Sequence, residues 1–428
     1  MNPTTIAIHK NVTPNWNSKA VTSDAKLYPS YKAAWLTDVQ FGKNQIFRIQ
    51  LDSGSSDTWV RGPDCLNPTN DGSCDGSKLD LSDNSIVSFQ SPPLNYTAEY
   101  ADGNFTADVY TCPVQIGTLK ATIPIGVARV MDNDYYLDGL LGFGFVGLSS
   151  ISRKTKKNSV YFDNLGFTKL QEIIGFYISN FTEPTPGQIT FGGIDSKRFY
   201  PPIHYMPVIK ENGLYQHWAF SLVNFTVTIP GVNSIKNVSL MTVNTSNAII
   251  DTGTTQIKLD KDIVHRINVD ALGAKYNGLN YQFDCDVPLP DIIFNDGDFE
   301  FILPSLIYRR KIDIDICFSV IVPTTDETAV FGDYFLSQYY SIFDKSTEPP
   351  RIGLAKANHQ LIVSNITQLN SSFFVFMGIG LGVLVVALLI CVWFLIRKAV
   401  RRQYTALERR PEMYMEPVIV QVGEHREE

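Results

Sequence analysis

From about Tyr31 onward the chain is a succession of short apolar runs: FRIQLD (47–52), TWVRG (58–62), ADVYTCPVQIG (107–117), ATIPIGVARV (121–130), QITFGGI (188–194) and FSLVNFTVTIP (220–230). They are rich in β-branched and aromatic residues, and Gly, Asn, Asp and Pro punctuate them every few positions, which is the pattern of strands joined by tight turns. Helical periodicity is confined to brief stretches near Phe162–Leu170, Lys261–Leu272 and Asp333–Tyr340. The pattern predicts an all-β, mainly antiparallel fold. The first 30 residues are different: polar and rich in Asn, Thr, Ser and Pro, they read as a leader or the remnant of a pro-region.

A second break comes near the C-terminus. Residues 373–396, FFVFMGIGLGVLVVALLICVWFLI, run for 24 positions without a charge, enough to cross a hydrocarbon core of about 30 Å. With no polar face, the run reads as one transmembrane helix rather than a buried core helix. RKAVRR follows it at once, whereas Ala357–Ser372 contains no charged residue. Basic residues stay on the cytosolic side, so residues 397–428 are expected in the cytosol and the body before the helix in a lumen or outside the cell. A removable lipid-anchor signal would end with the apolar run, but 32 residues follow it here, so a permanent anchor is expected. The opening MNPTTIAIHK has no apolar core of the secretory type. Either the anchor directs insertion or the chain extends further N-terminally.

Two distributions agree with that topology. Asn-x-Ser/Thr sequons stand at Asn11, Asn95, Asn104, Asn180, Asn224, Asn237, Asn244, Asn365 and Asn370, all before the helix. Cys65, Cys74, Cys112, Cys285 and Cys317 also precede it, and only Cys391 lies within it. Their dispersed spacing is not that of a zinc ligand set, and neither a metal nor a cofactor is expected. The formal net charge is −7, and from Arg397 onward seven basic residues meet six acidic ones, leaving 29 against 37 before it. An acidic body argues against nucleic acid as a partner.

The chain also repeats itself. Ile49-Gln-Leu-Asp52-Ser53-Gly54-Ser55-Ser56 is echoed by Ala248-Ile-Ile-Asp251-Thr252-Gly253-Thr254-Thr255, each an apolar strand running into an Asp, a hydroxyl residue and a Gly. An apolar-apolar-Gly element follows each copy, Leu140-Leu-Gly142 after the first and Val330-Phe-Gly332 after the second. One such tripeptide is an ordinary turn signal. Two in matching contexts imply two similar lobes whose Asp52 and Asp251 meet at a junction. Close carboxylates cannot both ionise cheaply and so share a proton, which lets one remove a proton from water while the other polarises a carbonyl. The six His residues are isolated and offer no rival nucleophile or metal site.

These motifs resemble those of pepsin-family aspartic endopeptidases, most of all the fungal-type members, over about Tyr31–Ala357. Asp52-Ser-Gly-Ser-Ser-Asp-Thr-Trp59-Val60 resembles the first active-site motif and Asp251-Thr-Gly-Thr-Thr the second. Tyr100-Ala-Asp-Gly103 resembles the flap hairpin that closes over bound peptide. Asp138–Phe143, Phe331–Phe343 and Arg351–Ala355 resemble the elements beneath the catalytic loops and the closing strand. The resemblance implies a bilobal fold with lobes at 31–198 and 199–357, followed by a glycosylatable stalk at 358–372. It also implies catalysis by Asp52 and Asp251, with loops supported by Ser53, Gly54, Ser55, Thr252, Gly253 and Thr254, and a substrate-binding flap at Tyr100 and Gly103. Disulfides Cys65–Cys74 and Cys285–Cys317 are implied as well. Cys112 is left to pair with Cys65 or Cys74, to link another molecule, or to remain buried and reduced, the last being expected.

One departure is Ser53 where the family usually has Thr, which keeps the hydroxyl and loses a methyl. Another is the sequon Asn104-Phe-Thr at the flap, expected to be unoccupied because a glycan would burden a moving element. In the tail, Tyr404-Thr-Ala-Leu407 has the form read by sorting adaptors, consistent with residence at the plasma membrane or in the endosomal or vacuolar system. The expected function is a membrane-anchored, monomeric endopeptidase acting on peptide or protein substrates. The competing reading is a non-catalytic binding protein or receptor on the same fold, whose usual mark, loss of one Asp, is missing.

Overall fold

The computed structural model describes residues 23–29 and 35–359, apart from 69–71, 101–102, 133–136, 180–186, 223–224, 231–234, 240–246, 279, 312–314 and 325–327. The leader up to residue 22, the stalk from 360, the apolar run 373–396 and the tail with Tyr404 and Leu407 lie outside the described residues. No helix among the described residues is long and apolar enough to cross a membrane.

The molecule is mostly β. The strand Gln45–Asp52 pairs antiparallel with Trp35–Phe41 and parallel with Gly139–Gly142, placing Gly142 opposite Asp52. Gly139–Gly142 then runs antiparallel to Thr58–Asn67, which is parallel to Leu119–Met131. The same five-strand order recurs in the second half. Asn247–Ile250 pairs antiparallel with Ala219–Ser221 and parallel with Ala329–Phe331; the latter is antiparallel to Ile257–Leu259, itself parallel to Ile321–Pro323. The sequence repeat is thus a repeat of topology, with the apolar-apolar-Gly element inserted between the strand before each Asp and the strand after it.

Glycine is required at that insertion. A Cβ on Gly142 would lie 2.5 Å from the Ser56 nitrogen, and one on Gly332 would collide with the Thr254 and Gln256 carbonyls. An antiparallel set made from both halves of the chain, Ile173–Tyr177, Gly187–Phe191, Phe199–Pro207, Tyr339–Asp344 and Arg351–Ala357, ties the copies together. Outer strands such as Asn95–Tyr100 alternate between buried and exposed positions, whereas Gly139–Gly142, Ile173–Tyr177, Ala329–Phe331 and Tyr339–Asp344 are buried throughout. Leu51, Ile49, Val60, Leu141, Phe143, Ile250 and Phe331 belong to one continuous core, so removal of apolar area from water is shared between the halves.

The helices differ in detail from the sequence reading. Phe162–Leu170 is not a helix but two single 3-10 turns, Phe162–Asn164 and Lys169–Gln171, separated at Gly166 with φ of 70°. Asp260 caps Lys261–His265 by accepting from the Asp262 and Ile263 amides, and the helix widens into a π turn over Arg266–Ala271 before Gly273 ends it at φ 73°. Asp333–Leu336 is a single turn, and strand resumes at Tyr339. The helix Ser150–Thr155 has no counterpart in the sequence reading. Its six residues are too few to show periodicity.

Candidate active site

Asp52 ends its strand, and Asp251 directly follows Asn247–Ile250; both are buried. Their turns hold the carboxylates by matching bonds. Gly54 N donates to Asp52 Oδ1 at 2.8 Å and Gly253 N to Asp251 Oδ1 at 2.8 Å. Ser55 Oγ donates to Asp52 Oδ2 at 2.5 Å and Thr254 Oγ1 to Asp251 Oδ2 at 2.6 Å.

The two turns also interlock. Ser53 N donates to Thr252 Oγ1 at 3.1 Å while Thr252 N donates to Ser53 Oγ at 2.9 Å. Each hydroxyl then crosses to the opposite strand, Ser53 Oγ to the Ile250 carbonyl and Thr252 Oγ1 to the Leu51 carbonyl, both at 2.8 Å. The hydroxyl of Ser53 makes both bonds without the missing methyl. Gln50 adds a fifth tie from its amide to the Gly253 carbonyl at 3.1 Å.

The glycines set how closely the carboxylates approach. A Cβ on Gly54 would stand 2.6 Å from Asp251 Oδ1, and one on Gly253 would collide with Asp52 Oδ1. Each carboxylate therefore rests against the glycine of the other turn. Burial first, and the negative charge of Asp251 second, push Asp52 well above the usual carboxylate range, against the opposing hydrogen bond from Ser55. The arrangement keeps a proton on a pair of carboxyl groups within reach of one another, as general acid–base work on a water and a carbonyl requires.

Tyr100 and Gly103, the residues expected in a flap, stand opposite one another in the hairpin Asn95–Tyr100 and Gly103–Ile116. Gly103 takes φ of 142°, which disfavours a side chain there. The half-buried Tyr100 ring stacks on Phe105 at 5.8 Å and meets Trp59 at 6.5 Å. Burial first, then the charges of Asp57 and Asp52, keep its phenol protonated far into the basic range, so it remains a hydrogen-bond donor beside the carboxylates.

Two carboxylates inside the quoted motifs acquire roles that residue order did not reveal. Asp57 is buried and accepts from Ser149 Oγ at 2.5 Å and from the Ser150 and Ile151 amides at 3.0 and 3.2 Å, fastening the helix Ser150–Thr155 under the first turn. Burial nevertheless raises its pKa. Asp333, directly after Gly332, is wholly buried, and neither carboxyl oxygen has a hydrogen-bond partner among the described residues. Burial, then the charges of Asp251 and Asp52, push it well above the usual range. An unpaired carboxylate there would be costly, so Asp333 is held as the neutral acid. The signal for it was available: an Asp directly after the Gly of the second apolar element, where the first element has Phe143.

Cysteines Cys65 and Cys74 are bonded, as are Cys285 and Cys317. Cys112 is free and buried, and burial pushes its thiol up to about 12, an unreactive thiol at any physiological pH.

Two copies of one strand motif that present interlocked, buried carboxylates are the arrangement of an aspartic-dyad hydrolase. The family model described as eukaryotic aspartyl protease matches residues 34–357, and the chain belongs to that family. It is similar to embryonic pepsinogen of Gallus gallus, 26% identical over 73% of this chain and 77% of the relative. It is also similar to penicillopepsin-1 of Penicillium rubens, 28% identical over 80% and 83%, and to endothiapepsin of Cryphonectria parasitica, 27% identical over 74% of each. The protein is an aspartic endopeptidase acting on peptide or protein substrates.

Proposed function

We propose that this protein is a membrane-anchored acid endopeptidase that hydrolyses peptide bonds with a water held between Asp52 and Asp251. The interlocked turns carry the reading: they fix both carboxyl groups at one place while burial and mutual repulsion leave a proton on the pair. The ionised member takes a proton from water as its oxygen adds to the scissile carbonyl carbon, and the protonated member donates to the carbonyl oxygen. Collapse of the resulting diol returns a proton to the leaving nitrogen. Tyr100, within reach of the Asp52 charge and backed by the buried rings of Phe105 and Trp59, offers an aromatic surface that favours bulky apolar side chains flanking the cut.

The anchor is residues 373–396, with the protease body lumenal or extracellular, the tail cytosolic and Tyr404 and Leu407 offered to a sorting adaptor. Cycling through an acidic endosome or vacuole would suit a dyad that must keep one proton. The test is hydrolysis of a denatured protein between about pH 3 and 6, with Asp52→Asn and Asp251→Asn as controls. Cleavage above both controls, blocked by a statine-type transition-state mimic, is expected; no excess over the controls and no inhibition would sink the reading. For topology, protease added to sealed vesicles should remove only the tail, and loss of the body instead would reverse the orientation.

A further inference from the structure

We infer that the outer face of the flap is a site of N-glycosylation at Asn95 and Asn104, and that the glycans restrict the enzyme to flexible segments of its substrates. The inference rests on the lumenal or extracellular placement of the body proposed above. Of the nine sequons, these are the two whose side chains all lie among the described residues, and both fall on one hairpin. Alternation along the paired strands separates their residues cleanly. Asn95 and Thr97 are exposed while Tyr96 between them is buried; Asn104 and Thr106 are exposed while Phe105 between them is buried. In register, Thr97 stands opposite Thr106 and Glu99 opposite Asn104, so both sequons share the outward face.

The inward face packs into a buried cluster that includes Trp59. Phe105 packs on Trp59 at 4.7 Å and on Tyr100, and Tyr96 approaches Phe105 at 6.1 Å. A sugar on Asn104 therefore points away from the face that carries Phe105, so an occupied sequon would not fill the space beneath the hairpin. Both acceptor residues are exposed, and their bonds to neighbouring segments run through the backbone: Asn104 O accepts from Asp132 N, and Asn95 O from Lys154 Nζ. Glycosylation would proceed in the usual manner from a lipid-diphosphate-linked oligosaccharide. The Asn Nδ2 forms a bond to the reducing-end sugar carbon, the bond from that carbon to the diphosphate oxygen breaks, the lipid diphosphate leaves, and Nδ2 loses one proton. Two bulky hydrated chains on the outer face of the element that covers the dyad would meet any folded protein approaching it, while a thin extended peptide beneath the flap would not touch them.

The experiment uses the full chain expressed in a eukaryotic secretory pathway, digested and treated with a glycosidase that converts each occupied Asn to Asp, and read by mass spectrometry. Conversion at Asn95 and Asn104 is expected. Conversion at other sequons with none at these two overturns the inference while leaving the topology standing; conversion nowhere sinks the topology itself, and this inference with it. For shielding, Asn95→Gln/Asn104→Gln and, independently, Thr97→Ala/Thr106→Ala are compared with wild type on a short peptide and on a folded protein substrate. Both double variants should raise kcat/KM on the folded protein relative to the peptide by about threefold or more. An unchanged ratio in both would overturn the shielding role. A changed ratio in the Gln variant alone would assign the effect to the Asn side chains and overturn it equally.

Discussion

Around Asp52 and around Asp251 the same two hydrogen bonds recur, yet the residue that follows the supporting glycine is Phe143 in the first half and Asp333 in the second. Gly142 N and Gly332 N make equivalent bonds, to the Asp57 and Gln256 carbonyls. Beyond them the halves part. Phe143 N reaches the Asp52 carbonyl, whereas Asp333 N reaches that of Thr254. The connection between the strand after each Asp turn and the parallel strand beside it also differs: between Thr58–Asn67 and Leu119–Met131 the first half carries the hairpin of Tyr100, and between Ile257–Leu259 and Ile321–Pro323 the second half carries the strand pair Tyr281–Asp284 and Ile316–Ser319. Chemistry that needs two carboxyl groups in one geometry has kept the symmetry where they touch. The buried Asp333 and the hairpin that carries Tyr100 each occur once, in the parts where the halves differ.

The comparison breaks most decisively at the carboxylates. Asp52→Asn and Asp251→Asn should each lower kcat/KM on a fluorogenic peptide by about 10³-fold or more, and the double variant should be no worse than the poorer single one, because the pair acts as a unit. If one single variant keeps a tenth of the activity, the halves are not chemically equivalent.

Next in size is the interlock. Ser53→Ala and Thr252→Ala each remove a hydroxyl that accepts one buried bond and donates another. Each should cost about 2–5 kcal/mol in urea unfolding, since an amide and a carbonyl are left unpaired. The double variant should lose less than the two singles combined, because the groups share partners. Thr252→Ser keeps both bonds, as Ser53 does, and should cost no more than about 1 kcal/mol. Additive losses from the two alanines would mean the turns are held independently.

Asp333 allows the asymmetry to be read by pH. Its native pKa is raised above the usual range, whereas the unfolded chain releases that proton near about pH 3.9. Between those values the native state binds more protons than the unfolded state, so its contribution to stability is fully present at low pH and is lost as pH rises. Asp333→Asn should therefore flatten the decline in Tm from acid to neutral pH, while a conservative change at Phe143, such as Phe143→Leu, should shift Tm at all pH values alike. Parallel Tm curves for wild type and Asp333→Asn would show that Asp333 does not carry the difference.

The symmetric part of this molecule was legible in the sequence because it is local: an Asp, a hydroxyl and a Gly at fixed spacing, and a glycine that only close packing explains. The β class followed from short β-branched and aromatic runs punctuated by turn residues, such as 121–130, which need no partner to be recognised. Asp333 and Asp57 stood in plain view, but their roles depend on burial and on neighbours about 80 and 90 positions away, Asp251 and Ser149, which no window on the chain contains. The misread stretch 162–170 failed for a local reason, since apolar spacing suggested a helix and Gly166 at positive φ divided it.

The finest distinction between the halves lies in their disulfides. Cys65–Cys74 closes a separation of 9 residues at the end of the strand that leaves the Asp52 turn, and Cys285–Cys317 closes one of 32 from the strand pair Tyr281–Asp284 and Ile316–Ser319. If each bridge acts by restricting the unfolded chain, stabilisation grows with the logarithm of loop length, and the longer loop should be worth about 1 kcal/mol more. Cys65→Ser/Cys74→Ser and Cys285→Ser/Cys317→Ser, compared by urea unfolding under identical conditions, should separate by that amount with the second pair the less stable. An equal or reversed order would locate the value of the first bridge in the native state instead, where it would be holding the segment behind the Asp52 turn in place, and the first half would then depend on a covalent support that the second half does without.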